Sequence, residues 1–299
     1  MSSSYRSRAV PVLVLAVLAT SWGAPFVRLA TAPPLAIAAW RLAIATLLLT
    51  PVALSPARRA EWRGLTARAA WGVVAAGAAL AVHFGAWIAS VRLTSVAASS
   101  ALVALSPVFA WLMSTAFLGE RPTPRQAAGI LLAVAGAAVI AVGGVRGGST
   151  RALEGDGLAL VGAVSSALYL VIGRRLRVGM SLAAYVTPVY AVAAVLLLAA
   201  AGTRGQAFAP YAPREWVIFA ALAVVPMIIG HTGLNFALRF FPAFVVGVAA
   251  LGDPVVATLI AWLLPAIGEA PGFLDAAGGM LCLLGIGLTL AGAPRPAAR

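Results

Sequence analysis

"HFGAWIASVRLTSVA" (His83–Ala97) and "HTGLNFALRFFPAFV" (His231–Val245) begin at two histidines that stand 148 positions apart in one chain. When the two stretches are superposed, glycine meets glycine at the third position and alanine meets alanine at the seventh, whereas Trp87 falls on Asn235. Each stretch places an imidazole among apolar residues, where it needs a hydrogen-bond partner or water. The match predicts that the chain consists of two related halves.

The similarity continues beyond these stretches. The further matched pairs are Pro107 with Pro254, Glu120 with Glu269, Gly129 with Gly278, and Gly136 with Gly285. The spacing between paired residues changes by only one position in either direction, as small differences in loop length produce. The repeat therefore covers most of each half.

The composition excludes a water-soluble protein. Of the 299 residues, 62% are hydrophobic and only 10% are charged, and the mean hydropathy is +1.01. A soluble domain is about half apolar and a quarter charged. The net charge of +13 comes from arginine alone, mostly in short breaks between apolar runs, so it indicates membrane topology and no nucleic-acid partner. The single cysteine, Cys282, allows no intrachain disulfide.

Ten apolar runs approach the length of about 20 residues that a transmembrane helix needs. They cover residues 10–30, 35–54, 71–91, 96–118, 126–143, 157–173, 181–201, 216–238, 242–264 and 270–292. With the N-terminus in the cytoplasm, fourteen arginines lie on the cytoplasmic side and six on the other, and Arg41 lies within the second run. This asymmetry predicts that both termini are cytoplasmic.

Five runs fall in each half, and an odd number reverses the direction in which the second half enters the membrane. We therefore expect an all-α membrane protein of ten transmembrane helices, arranged as two inverted five-helix repeats around a central cavity. The predicted units are residues 1–143, a linker of residues 144–156, and residues 157–299. Inverted repeats place the substrate near the middle of the bilayer, at the interface of the repeats.

Four stretches resemble the EamA-type exporters of the drug/metabolite transporter superfamily. They are "TSWGAPFVRLA" (20–30), "AWRLAIATLLL" (39–49), the segment Val96–Ile140 that ends with "LGERPTPRQAAG" and the helix after it, and "ALGDPVVATLIAWLLPAIGEAPGFLDAAGGMLCLLGIGL" (250–288). The resemblance implies two five-helix halves around a cavity and export of small metabolites, often amino acids, across the bacterial inner membrane. Among these exporters the chain looks closest to those of aromatic and other neutral amino acids.

The chain departs from this family pattern in two places. The second-half motif usually carries Glu where this chain has Asp253, which shortens the side chain by one methylene. The pair Trp22 and Gly23 of the first span is replaced by Tyr169 and Leu170 in the second half. We therefore expect the two halves to differ in function.

Four candidate site residues come from the repeated stretches. His83 and Trp87 are four residues apart, as are His231 and Asn235, so each pair shares one helix face. The repeat turns both faces toward one axis, and we predict that they line a water-accessible cavity. The alternative for each histidine is a hydrogen bond between helices.

Three further residues complete the predicted substrate site. Asp253 is the one acid deep within a span, and the absent N–H of Pro254 frees the Ala250 carbonyl beside it. Asp253 is either a carboxylate that faces an ammonium group or a structural acid at a kink. Trp22 and Tyr169, at corresponding depths in the two halves, are predicted to line the cavity. For Arg41, snorkelling to the interface is the simpler reading and carboxylate recognition the alternative.

These observations favour an exporter of neutral or aromatic amino acids that works by alternating access as a monomer among membrane lipids. Efflux of drugs or nucleosides, a passive channel, and a membrane scaffold remain alternatives. The chain carries no zinc-protease motif, phosphate loop or nucleophile elbow, so we expect no enzyme activity, cofactor or metal. Whether Asp253 and the histidines also carry protons stays open.

Overall fold

In the computed structural model, residues 3–94, 96–144, 150–206, 208–268 and 270–292 are described, and they form helices joined by short loops, without strands. Glu269, linker residues 145–149, residues 1 and 2, and residues 293–299 lie outside these ranges. The helices of the first half are α1 (Ser3–Thr20), α2 (Gly23–Leu29), α3 (Pro34–Ala53), α4 (Pro56–Arg63), α5 (Ala67–Leu93), α6 (Val96–Val103), α7 (Ser106–Leu118) and α8 (Pro124–Gly144).

The second half begins with α9 (Thr150–Arg177) and α10 (Leu182–Thr203). The chain continues through α11 (Pro213–Leu222), a π-helical segment (Ala223–His231), α12 (Thr232–Ala237), α13 (Ala243–Ala249), α14 (Gly252–Leu263) and α15 (Phe273–Ala291). Within the described residues, eight helical stretches are long and apolar enough to cross a membrane, and two shorter apolar helices lie at Ser106–Leu118 and Pro124–Ile140. The protein is therefore a multi-pass helical membrane protein, and each of the ten predicted runs coincides with helix.

Prolines interrupt several of these spans. Three prolines lie in the first turn of the helix that follows a break, namely Pro25 in α2, Pro107 in α7 and Pro254 in α14. In each case the break lies just before the proline, because its ring clashes with the carbonyl four residues earlier and it has no N–H to donate. Pro226 lies inside the π-helical segment and widens the turn there without ending the helix.

The structure differs from the predicted runs at breaks inside three of them and at one helix start. The first, fourth and ninth runs were expected to be continuous, but the structure breaks them at residues 21–22, 104–105 and 250–251. The sixth run, 157–173, lies within the 28-residue α9, which begins at Thr150 inside the predicted linker. Polar residues such as Glu154 and Asp156 end an apolar run, but they do not end a helix.

Helices α8 and α15 pack closely through glycines that the repeat relates. A Cβ atom at Gly136 would lie 2.5 Å from the Gly278 carbonyl oxygen, and one at Gly285 would lie 2.6 Å from the Gly129 carbonyl oxygen. The later residue of α8, Gly136, contacts the earlier residue of α15, Gly278, so the two helices are antiparallel. In the repeat, Gly129 corresponds to Gly278 and Gly136 to Gly285. Gly136 therefore contacts the counterpart of Gly129, and Gly129 contacts the counterpart of Gly136. Small residues permit this close approach of backbones in membranes.

A second exchange of contacts joins the halves. In α5 and α9, Trp87 packs at Gly162 and Leu93 packs at Gly155, so these helices are antiparallel. The first span of the first half in turn packs against the third span of the second half, where Thr20 in α1 contacts Gly230. The first span of each half therefore packs on the third span of the other.

Two Glu-Trp dipeptides tie the halves together at opposite ends of α3. Glu215 of the second half accepts hydrogen bonds from the amides of Thr31 (3.0 Å) and Ala32 (3.2 Å) of the first. Glu61 of the first half accepts a hydrogen bond from the Ser181 amide of the second at 2.6 Å. In each case the carboxylate holds the loop between the first two spans of the other half.

Replacing Gly285 by Ala should destabilise the protein by about 1–3 kcal/mol, because the new Cβ would meet the backbone of α8. Such a Cβ would lie 2.4 Å from the Ala133 amide nitrogen. Thermal unfolding of the purified protein in detergent would measure the effect.

Gly287, two residues further along α15, provides the matched control, because nothing lies within 4 Å of a Cβ there. Gly287→Ala should change the stability by less than about 0.5 kcal/mol. Equal effects of the two substitutions would contradict the packing of α8 on α15.

Candidate functional site

The helix interruptions surround one cavity. The centre of a water molecule can move through about 90 Å³ of it, which is room for several waters. Its lining residues are Thr20, Gly23, Arg41, His83, Phe84, Trp87, Ser100, Val103, Ala104, Ser106, Ser166, Tyr169, Leu170, Pro226, His231, Leu234, Gly247, Ala250, Leu251, Asp253 and Pro254. They come from both halves, and they include residues at the breaks before α2, α7 and α14.

The two repeated histidines face each other across this cavity. Their ring centroids are 6.3 Å apart. His83 Nδ1 lies 2.9 Å from the Gly162 carbonyl oxygen in α9. A carbonyl only accepts, so Nδ1 carries the proton, and Nε2 of a neutral ring is an acceptor. His231 Nδ1 is buried without a hydrogen-bond partner in the described part of the chain.

Aromatic rings form one wall of the cavity. The Trp87 ring lies nearly parallel to the His83 ring at 6.3 Å, and Phe84 packs edge-on against His231 at 5.0 Å. Trp87 also contacts Gly23, at which a Cβ would lie 3.2 Å from the indole. The break between α1 and α2 therefore places a small residue where the indole needs space.

Asp253 lies in the first turn of α14, beside the hydroxyl of Ser21 at the end of α1. Its Oδ1 atom is buried without a hydrogen-bond partner among the described residues. The Ala250 carbonyl, which the sequence suggested would be free, accepts a hydrogen bond from the Asp253 amide at 3.0 Å. The tighter turn at the break supplies the donor that Pro254 lacks. The polar group available to a ligand here is therefore the carboxyl of Asp253.

Arg41 does not snorkel to the interface. Its side chain is 1% exposed and lines the cavity, with the guanidinium carbon 4.1 Å from the centre of the Phe84 ring. Its position near the end of the second run suggested an interfacial residue, but the direction of the side chain is set by the helix face. That face of α3 also buries Ile37, Ala38 and Leu42, so it points into the protein.

Trp22 and Asn235, the other two predicted site residues, do not line the cavity. Trp22 is half-buried and packs against Phe26 at 5.4 Å, while its neighbour Gly23 reaches the cavity. Asn235 is fully buried behind the lining, where its amide donates to the Tyr169 hydroxyl and, at 2.7 Å, to the His231 carbonyl. It therefore connects two lining residues.

Sequence reasoning passed over Ser106, and it left Arg41 out of the predicted site while naming carboxylate recognition as the alternative to snorkelling. Ser106 lies in the first turn of α7 and lines the cavity, as Asp253 does in α14. The matched prolines could have indicated this residue, because Ser106 precedes Pro107 as Asp253 precedes Pro254. In the described residues, no group of three His, Cys, Asp or Glu side chains is placed to hold a metal ion.

An apolar bundle with many spans, whose broken helices surround a small and mainly apolar cavity with a few polar groups, is the architecture of a membrane transporter. The chain belongs to the EamA-like transporter family, whose model matches residues 7–142 and again residues 153–291. A solved crystal structure of another protein has a TM-score of 0.77 and 22% identity, over 98% of this chain and 99% of the other. That likeness shows the fold alone.

Two curated relatives are similar over part of their length. A probable terminal-alkyne amino-acid exporter from Streptantibioticus cattleyicolor is 32% identical over 191 residues, which are 63% of this chain and 62% of the relative. An uncharacterized transporter from Archaeoglobus fulgidus is 29% identical over 168 residues, which are 55% of this chain and 57% of the relative. The matches thus span less than two thirds of either relative.

Asn235→Ala should destabilise the fold by about 1–3 kcal/mol, because it removes the donor to the buried Tyr169 hydroxyl and the His231 carbonyl. A double-mutant cycle with Tyr169→Phe should show a coupling of about 0.5–3 kcal/mol in detergent unfolding measurements. Additive effects of the two substitutions would mean that this hydrogen bond contributes nothing to stability.

Proposed function

We propose that the protein is a bacterial inner-membrane exporter of neutral and aromatic amino acids that works by alternating access. In this proposal both termini are cytoplasmic and the protein acts as a monomer. Two inverted five-helix halves, residues 1–143 and 157–299, move against each other about the cavity. The proposed substrate site is lined by His83, Trp87, Tyr169, His231 and Asp253. Of the other two predicted site residues, Asn235 supports the site from behind through its hydrogen bonds to Tyr169 and His231, and Trp22 adjoins the lining residue Gly23.

Three observations support the inverted repeat. The family model matches the chain twice, with a short gap between the matches. Helices α8 and α15, which end the two halves, are antiparallel and meet through exchanged glycines. The Glu61 and Glu215 carboxylates hold equivalent loops of opposite halves at opposite ends of α3. Such exchanged contacts are what a two-fold relation between the halves produces.

The observation that carries the substrate class is the composition of the cavity wall. Phe84, Trp87 and Tyr169 present aromatic surface to a cavity that also contains the unpartnered carboxyl oxygen of Asp253. Aromatic faces attract both apolar side chains and cations. A carboxylate close to such faces suits the ammonium group of an amino acid. The partial similarity to a probable amino-acid exporter agrees with this class.

Transport by purified protein in liposomes tests the proposal. We expect saturable counterflow of radiolabelled phenylalanine, tryptophan or leucine, with competition by unlabelled neutral amino acids. Efflux of an organic cation or a nucleoside without amino-acid counterflow would replace the proposal by the drug or nucleoside alternative. Flux that does not saturate would indicate a passive channel, and no flux of any substrate would indicate a scaffold.

The aromatic wall gives a sharper form of this test. Trp87→Ala should raise the KM for phenylalanine about 10-fold, because burial of an aromatic ring against the indole is lost, and should affect alanine much less. Trp71→Ala on the same helix is the control, since Trp71 is 72% exposed. Equal loss for phenylalanine and alanine would place Trp87 outside the substrate site.

Asp253 is predicted to bind the ammonium group. Asp253→Asn should raise the KM for neutral amino acids about 10- to 100-fold, as expected for the loss of a charged hydrogen-bond partner, while Asp253→Glu should retain part of the affinity. The exposed Glu154 provides a control as Glu154→Gln. An unchanged KM in Asp253→Asn would assign Asp253 a structural role at the break before α14.

A further inference from the structure

Among the described residues no acid forms a salt bridge with Arg41, although Asp253 lies near enough to interact with it electrostatically. Its Nε and Nη1 atoms are buried without hydrogen-bond partners among the described residues. Nη2 meets only the Met227 sulfur, at 3.7 Å, and the guanidinium lies over the Phe84 ring. A thioether is a weak acceptor and a ring face offers no lone pair, so most donors of the guanidinium remain unused.

A buried arginine in a membrane protein normally faces a partner or a water-filled cavity. Arg41 faces the cavity itself, and within the described chain no acidic oxygen lies within 4 Å of it. The strong donors of its planar group match the two oxygens of a carboxylate. These properties suit an anionic group that enters with a ligand.

The charges in the cavity complement a zwitterion. Asp253 is the acid among the lining residues, and Arg41 is the arginine among them. Each has a buried polar atom without a hydrogen-bond partner among the described residues. The two side chains interact electrostatically, but they form no salt bridge within 4 Å. The titratable groups around them are His83, His231 and Tyr169, which line the cavity, and Tyr190 of α10, which lies close to Arg41. Separated opposite charges of this kind suit a molecule that carries one charge of each sign.

The break before α7 adds a second favourable feature for an anion. The 13-residue α7 begins at Ser106, which lines the cavity, and no side chain caps its first turn. A helix start carries a partial positive charge. At α7 this charge is the contribution, because Pro107 has no N–H and the amides of Val108 and Phe109 already donate to the Leu105 carbonyl oxygen. The corresponding start of α14 already contains the carboxyl group of Asp253. The two half-helix starts therefore differ, one with a hydroxyl and the other with an acid.

We propose that Arg41 binds the α-carboxylate of the transported amino acid, with the start of α7 at Ser106 beside it, while Asp253 binds the ammonium group. This inference rests on the proposed amino-acid export and assigns its carboxylate subsite. It predicts that the transporter distinguishes substrates by the free carboxylate. Amino-acid amides, methyl esters and decarboxylated amines then lack the group that Arg41 holds.

The test compares phenylalanine with phenylalanine amide and phenethylamine in counterflow by purified protein in liposomes. The wild type should prefer phenylalanine. Arg41→Met should raise the KM for phenylalanine about 10- to 100-fold, the range expected for loss of a charge-assisted hydrogen bond, and change the KM for the amide by less than about 3-fold. Arg41→Lys should recover part of the loss, since it keeps the charge without the planar donors.

Arg59→Met is the matched control, because it removes the same charge from an exposed position on α4. Thermal unfolding and gel filtration establish that each variant is folded. If Arg41→Met does not fold, Arg41→Lys and Arg41→Gln take its place. For each of them the KM for phenylalanine is divided by the KM for the amide, and a ratio above that of the wild type supports the inference, whereas an unchanged ratio overturns it.

Two outcomes separate the possible failures. If the folded Arg41→Met protein loses phenylalanine and the amide equally, the inference is overturned. Restoration of both by the additional Asp253→Asn substitution would then show that Arg41 serves to balance the charge of Asp253. If the wild type shows no saturable amino-acid counterflow but moves another substrate, the proposed function itself fails.

Discussion

The structure depends on a constraint that the bilayer places on the backbone. Carbonyl and amide groups that lose their helical partners find no water in hydrocarbon, so broken helices are tolerated only inside the protein or around a wet cavity. The prolines at the interruptions are Pro25, Pro107, Pro226 and Pro254. All four interruptions border the same cavity, whereas Pro11, Pro51 and Pro188 lie within continuous helices away from it. The irregular backbone of these four interruptions therefore lies around the cavity, where its polar groups can be hydrated.

Packing of the two halves follows from exchanged contacts. The glycines of α8 and α15 let two backbones approach closely, and in lipid such close packing replaces the hydrophobic effect as the source of helix association. The same exchange positions the histidines, since α5 packs on α9 through Gly162, whose carbonyl oxygen meets His83. One relation between the halves thus accounts for both the contact of the last helices and the orientation of the central imidazoles.

The sequence predicted the features that follow from the periodicity of apolar residues and of the repeat. It did not predict the direction in which individual side chains point. The ten apolar runs coincide with helices, and the matched stretches bring His83 and His231 within 6.3 Å of each other. Arg41 was misread because its distance from the end of an apolar run says nothing of the helix face it occupies. Asn235 has the expected helix face relative to His231, but its hydrogen bond to Tyr169 holds it behind the lining. The predicted span 157–173 was shorter than α9 because hydropathy identifies the apolar part of a helix and not the polar turns that extend beyond the membrane.

The cavity lies between two sets of hydrogen bonds that join the halves. At one end Glu215 holds the amides of Thr31 and Ala32, and at the other Glu61 holds that of Ser181. A hydrogen bond to a charged group contributes about 1.5–3 kcal/mol. In the proposed alternating access, rocking of the halves opens one end of the bundle and must break the bonds there while those at the other end persist. A carboxylate against backbone amides suits this task, because both partners can bind water once they separate.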